Sequence, residues 1–63
     1  MDKVIEVVLR QVRDKKAQLN EAVGAGAAKD YADYKGLCGE IRGLSAVEMY
    51  LTDLAHNMES NDD

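Results

Sequence analysis

The chain has 63 residues, 46% of them hydrophobic and 32% charged, with eight basic and twelve acidic residues and a net charge of −4. Domains this short usually need a disulfide, a metal or a partner chain for stability. One cysteine and one histidine exclude an intramolecular disulfide and argue against a structural zinc site. The acidic balance argues against nucleic-acid binding, and no apolar run is long enough to span a membrane. We therefore expect a soluble protein stabilised by oligomerisation or by a partner.

Residues 3–22 are predicted to form the first helix. Asp2 precedes it as a plausible N-cap, and Glu6 lies near the positive end of the helix dipole. Lys15 and Lys16 interrupt the apolar stripe, although a lysine stem can cover an apolar edge. The stripe itself recurs at helical spacing and consists of Ile5, Val8, Leu9, Val12, Leu19 and Val23.

Residues 23–27 are predicted to form the turn. Gly24 or Gly26 can take the left-handed position that ends a helix at no steric cost. A connection this short implies antiparallel neighbours. The predicted fold is therefore all-α, a single two-helix antiparallel hairpin over residues 1–63, completed by oligomerisation or by a partner.

The second helix is predicted over residues 28–58, followed by a fraying acidic tail at 59–63. Residues 1–23 carry a net charge of +1 and residues 29–63 a net charge of −5, which suits antiparallel packing. Apolar residues repeat every seven positions, as in a coiled-coil seam, and Glu48 is the polar exception in that register. The seam comprises Tyr34, Leu37, Ile41, Leu44, Leu51, Ala55 and Met58.

Three glycines, Gly36, Gly39 and Gly43, lie within the second helix, where each costs roughly 1 kcal/mol relative to alanine. One interpretation is a kink or break, since Ser45 to Glu48 reads S-x-x-E, a capping box that would start a new helix. The favoured interpretation is a close approach of another helix, because the heptad keeps its phase through the glycines. The third is no specific role.

The glycines lie within about 60° of one another around the helix, on a different side from the heptad seam. Small and aromatic residues accompany them on or near this strip. We therefore predict a protein interface formed by Tyr31, Ala32, Gly36, Gly39, Gly43 and Tyr50.

No arrangement of residues indicates an enzyme, and no catalytic, cofactor-binding or metal-binding residues are predicted. Cys38 and Arg42 are too close in sequence for a phosphatase loop, so Cys38 is read as a buried or interface residue, with a reactive thiol as the alternative. His56 has no second ligand nearby and is read as a surface residue. The glycine-rich turn lacks the lysine and hydroxyl residue of a phosphate loop.

Residues 28–44, AKDYADYKGLCGEIRGL, resemble a motif of small proteins of tailed bacteriophages, A-K-D-Y-x-x-Y-K-x-L-x-G-x-I-x-G-L. The match covers about a quarter of the chain, and Gly36 stands at a variable position of the motif. Genes of this family tend to lie among those for virion structure and assembly. The resemblance implies a capsid or head–tail junction accessory that binds a portal, connector or capsid protein, itself, or both.

A different class of function also remains open, a small phage regulatory protein that binds one host factor. The two differ in location, since an accessory belongs to the virion and a regulator to the host cytoplasm. Neither requires a nucleic acid, a membrane or a cofactor as partner.

Overall fold

The protein is a hairpin of two packed α-helices. The computed structural model describes residues 1–60, except the side chain of Ser60. Helix α1 spans Lys3–Gly24 and helix α2 spans Tyr31–Ser60. The helices run antiparallel, since the Met1 amine lies 3.4 Å from the Glu59 carboxylate while the middle of α1 meets the middle of α2. The predicted all-α hairpin is confirmed.

The boundaries of α1 follow from its capping residues. The Asp2 carboxylate accepts hydrogen bonds from the amides of Val4 and Ile5, at 2.8 and 3.2 Å, so the predicted N-cap is confirmed. At the other end Gly26 adopts a left-handed φ of 78°. The amides of Gly26 and Ala27 donate back to the carbonyls of Val23 and Ala22, which is a Schellman motif. The helix thus includes Val23 and Gly24, which the sequence had placed in the turn.

Helix α2 begins at Tyr31 and not at residue 28, because Asp30 caps it. The Asp30 carboxylate accepts from the Asp33 amide at 2.8 Å, and the Asp33 carboxylate accepts from the Lys29 amide at 3.0 Å. This reciprocal pair satisfies amides that the helix leaves free. The residues from 28 to Asp30 therefore belong to the connection.

At its far end α2 extends beyond the predicted limit of Met58. Glu59 and Ser60 are helical, and the ion pair between Glu59 and the Met1 amine ties this turn to the start of α1. The remainder of the predicted tail, residues 61–63, lies outside the described residues.

A break at the glycines, the alternative to a close helix approach, does not occur, because α2 is one continuous helix from Tyr31 to Ser60. Ser45 does not start a new helix, and the Glu48 side chain is directed toward α1. There its two carboxylate oxygens each accept a 2.7 Å hydrogen bond, one from Arg13 and one from Lys16. Glu48, the polar residue in the seam of α2, thus pairs with Lys16, one of the lysines that interrupt the apolar stripe of α1.

The apolar contact between the helices is narrow. Among the described residues, four side chains are buried, namely Ile5, Leu9, Leu19 and Ala55. Four seam residues of α2 are half-buried, Leu37, Ile41, Leu44 and Leu51. Tyr34 and Met58, predicted to belong to the seam, are each 44% exposed because they lie near the ends of α2. By the register of the ion pairs, about two turns of α2, residues 31–37, extend past the end of α1.

Substitution of Leu9 by alanine is expected to destabilise the hairpin by about 2–5 kcal/mol, since Leu9 is only 3% exposed. This range is comparable to the whole stability of a chain this small. Thermal unfolding followed by circular dichroism measures the effect. Val7→Ala is the control, because Val7 is 43% exposed; an equal loss in both variants would contradict the packing described.

A second prediction concerns pH. Hydrogen bonds from Lys16 and then Arg13 hold the pKa of Glu48 below its usual 4.5, so the stabilisation is fully present above about pH 4.5 and is lost as pH falls through the lowered folded-state pKa. Glu48→Gln is therefore expected to melt below the wild type at pH 7, with the gap closing in acid. Glu6→Gln, which removes an exposed pair with Arg10, should change little at any pH. A gap that persists at pH 2 would contradict the assignment.

Candidate protein interface

A shallow groove of about 450 Å³ runs between the helices on one side of the hairpin. Leu19 and Leu44 form its floor, with Gly43 and Val47 along one wall. One cation, Lys15, and one anion, Glu40, complete its lining. The absence of a side chain at Gly43 keeps the wall low, so the apolar floor is accessible from outside.

Exposed apolar side chains continue from the groove toward the chain termini. At about 100° per residue, Val4 and Val8 lie within about 20° of Lys15 around α1, and Tyr50 and Leu54 lie within about 20° of Gly43 around α2. We call the set Val4, Val8, Val47, Tyr50 and Leu54 the apolar face. Their exposures are 70, 36, 39, 66 and 48%.

The other side of the hairpin is polar. Arg13 lies about 160° from Lys15 around α1, and its guanidinium is bound to Glu48 there. Arg10 pairs with Glu6, 3.7 Å away, on the same polar flank. One side of the hairpin thus carries charged residues that form ion pairs. The other side exposes apolar side chains that the rest of the described hairpin does not cover.

The six residues predicted as an interface are all exposed, but they do not form one patch. Gly43 and Tyr50 lie on the side of the apolar face. Gly39 lies farther round the helix, and the remaining three, Tyr31, Ala32 and Gly36, lie in the turns of α2 that extend past α1.

None of the three helical glycines is required by packing within the chain. A Cβ added at Gly36, Gly39 or Gly43 would have no heavy atom within 4 Å other than those of its own local backbone. The close approach predicted from these glycines therefore does not occur within the hairpin, and it remains a prediction for contact with another chain.

A small aromatic cluster marks the start of α2. The rings of Tyr31 and Tyr34 stack with centroids 6.4 Å apart at an angle of 30°. The Lys35 ammonium lies 5.9 Å from the centre of the Tyr31 ring, within cation–π range. Tyr31 is nevertheless 73% exposed, so most of its surface is free for contact.

Most of the apolar face was not predicted from the sequence. Val8 was assigned to the buried stripe, although it is 36% exposed, and Val4, Val47 and Leu54 were not assigned. A signal was present, because each directly precedes a seam or stripe position: Val4 before Ile5, Val8 before Leu9, Val47 before Glu48 and Leu54 before Ala55. Such neighbours widen an apolar stripe to one side.

Other kinds of site are not supported by the described part of the chain. Residues 1–60 contain no group of three or more histidine, cysteine or acidic residues placed to hold a metal ion. Neither helix, as far as it is described, has the length and apolar character needed to cross a membrane. A second recess of about 330 Å³ lies between the start of the chain and the end of α2, and Met1 and Met58 line it.

Searches of protein-family models, of curated proteins and of solved structures found no match to this chain. Two features of the chain therefore bear on its function, the surface described above and the motif in residues 28–44.

Replacing Gly39 by alanine is expected to raise the melting temperature, because the added Cβ meets open space and alanine favours the helix by about 1 kcal/mol. Gly26→Ala is the matched control with the opposite expected sign, since its left-handed φ of 78° strains any residue with a Cβ. A fall in melting temperature for Gly39→Ala would indicate that another chain packs against this glycine.

Proposed function

We propose that the protein is a non-enzymatic accessory of a bacteriophage particle or of its assembly, and that it acts through helix–helix packing. The observation that carries the proposal is the apolar face, in which five large side chains are exposed along one side of the hairpin, whereas only four side chains of the described residues are buried. Soluble monomers rarely expose contiguous apolar surface of this kind, and where it occurs it usually marks a binding site.

The small size of the chain supports the same proposal. A two-helix hairpin buries too little surface to be more than marginally stable alone, and a partner that covers the apolar face would supply the missing burial. The side chains that it would cover are supported from beneath by Leu9, Leu19 and Ala55, which are buried. They therefore form a largely preformed surface.

The phage setting depends on the motif resemblance. Residues 28–44 cover the end of the connection and the first half of α2. Several of the motif residues, among them Tyr31, Gly39 and Gly43, are exposed, and the two glycines have no packing role in the hairpin. A motif with exposed members is available to a partner, and the family setting favours a portal, connector or capsid protein, a second copy of the chain, or both.

The second candidate is a regulatory protein that binds one host factor. The exposed aromatic cluster of Tyr31 and Tyr34 favours it, because aromatic side chains concentrate binding energy in compact interfaces. This cluster lies apart from the apolar face, so it would serve a small, separate contact.

Mass spectrometry of purified particles tests the proposal. We expect the protein in particles, in many copies relative to the portal. Particles from a phage carrying Leu54→Glu should lack it, while the matched variant Met49→Glu should retain it, because Met49 is 63% exposed but lies about 120° from Gly43 around α2. Abundant protein in infected cells with none in particles would favour the regulatory role.

A further inference from the structure

We infer that the apolar face binds the same face of a second copy of this chain, with Leu54 of each copy seated in the groove over Gly43 of the other. This inference rests on the proposed function, since it names one partner for helix–helix packing. The resulting dimer is a four-helix bundle with a two-fold axis perpendicular to the helices.

The two ends of this side of the hairpin differ in bulk. Toward the termini it carries Val4, Val8, Tyr50 and Leu54, which are exposed by 36–70%. Toward the turn α2 offers Gly43, with open space where a side chain would lie. A bulky end and a small end complement each other only when the second copy is reversed end to end.

Reversal also makes the contact self-consistent. A two-fold interface requires that if residue i of one copy touches residue j of the other, then j touches i. Leu54 and Gly43 meet this condition on a single helix, because they lie within about 20° of each other and about three turns apart. The groove over Gly43 has about 450 Å³ and a leucine floor, which suits the insertion of a leucine side chain.

The charges of the groove permit an identical partner. Although the chain carries −4, the groove is lined by one cation and one anion, Lys15 and Glu40. A dimer that covers the grooves of both copies therefore encloses no net charge. Neither forms an ion pair within residues 1–60. Both are exposed, and the flexible Lys15 side chain can reach solvent from the rim.

The size of the shared face suits a small dimer interface. The hairpin measures 52 × 15 × 13 Å, but seating Leu54 over Gly43 overlaps only residues 37–60 of the two α2 helices, about 36 Å. The shared side therefore projects roughly 500 Å² per copy, at the lower end of specific interfaces. Dimerisation would also double the number of helices that pack around the exposed side chains. Oligomerisation is a common source of stability for chains this short.

Sedimentation equilibrium at micromolar concentration tests the dimer. We expect a dimer for the wild type and for Met49→Glu, and a rise of about 100-fold or more in the dissociation constant for Leu54→Glu, because each copy would bury a carboxylate. Circular dichroism checks that both variants remain helical. A folded wild-type monomer, or an equal effect of the two variants, would overturn the inference.

Complementation tests the contact itself. Gly43→Leu is expected to fill the groove and weaken the dimer at least about tenfold by overpacking, without loss of helicity. Adding Leu54→Ala to Gly43→Leu should restore most of that loss, since the leucine is then supplied from the other side of the same contact. A double variant no better than Gly43→Leu would overturn the pairing of these two residues.

Orientation is tested by spin labels at Lys3→Cys in a Cys38→Ser background. With the copies reversed end to end, the two labels lie at opposite ends of the bundle, more than about 35 Å apart. Labels closer than about 25 Å, as adjacent helices at the same end would place them, would overturn the reversed arrangement. A wild-type monomer would leave the phage proposal standing with an unlike partner, whereas absence from particles would leave the dimer intact.

Discussion

The structure depends on one carboxylate, Glu48, held between Arg13 and Lys16 at 2.7 Å from each. It occupies a seam position of α2 that would otherwise take a leucine, and Lys16 occupies the matching position of α1. A shift of one helical turn, about 5.4 Å, would take Glu48 away from at least one of the two cations. The Glu48 side chain is only 24% exposed, so leaving it unpaired costs more than an ordinary surface charge would. The cluster thus fixes both the antiparallel orientation and the register.

The same register decides which surface is left open. With Glu48 level with Lys16, the start of the chain lies beside the last described turn of α2, and the Met1 amine reaches Glu59. Among the described residues, packing of the two apolar stripes then buries only Ile5, Leu9, Leu19 and Ala55. Residues that flank these positions on one side form the apolar face, while the other flank is filled by ion pairs. One constraint on alignment therefore produces a hairpin with two chemically different sides.

Much of the fold is predictable from local patterns, because helical periodicity, the Asp2 cap and the glycine-rich turn act over a few residues. The start of α2 was placed too early because the side chains of Asp30 and Asp33 cap amides there, at 2.8 and 3.0 Å, and apolar periodicity does not show where such a cap lies. Ser45 and Glu48 matched a capping box, but the Glu48 side chain instead forms ion pairs with Arg13 and Lys16 of α1. Of the residues predicted as an interface, Gly43 and Tyr50 lie on the side of the apolar face. The valines and Leu54 were not predicted, since exposure depends on how far the two stripes overlap after packing.

The three glycines of α2 differ in their surroundings. Each costs about 1 kcal/mol of helix propensity relative to alanine, and none is repaid by a contact within the hairpin, since an added Cβ would meet no atom at any of them. Gly43 differs from Gly36 and Gly39 because it lowers the wall of a groove with a leucine floor. A side chain there would close the recess without disturbing the chain that carries it. The inferred reversed dimer supplies a physical reason for Gly43, because it places a definite side chain, Leu54 of the second copy, in the recess.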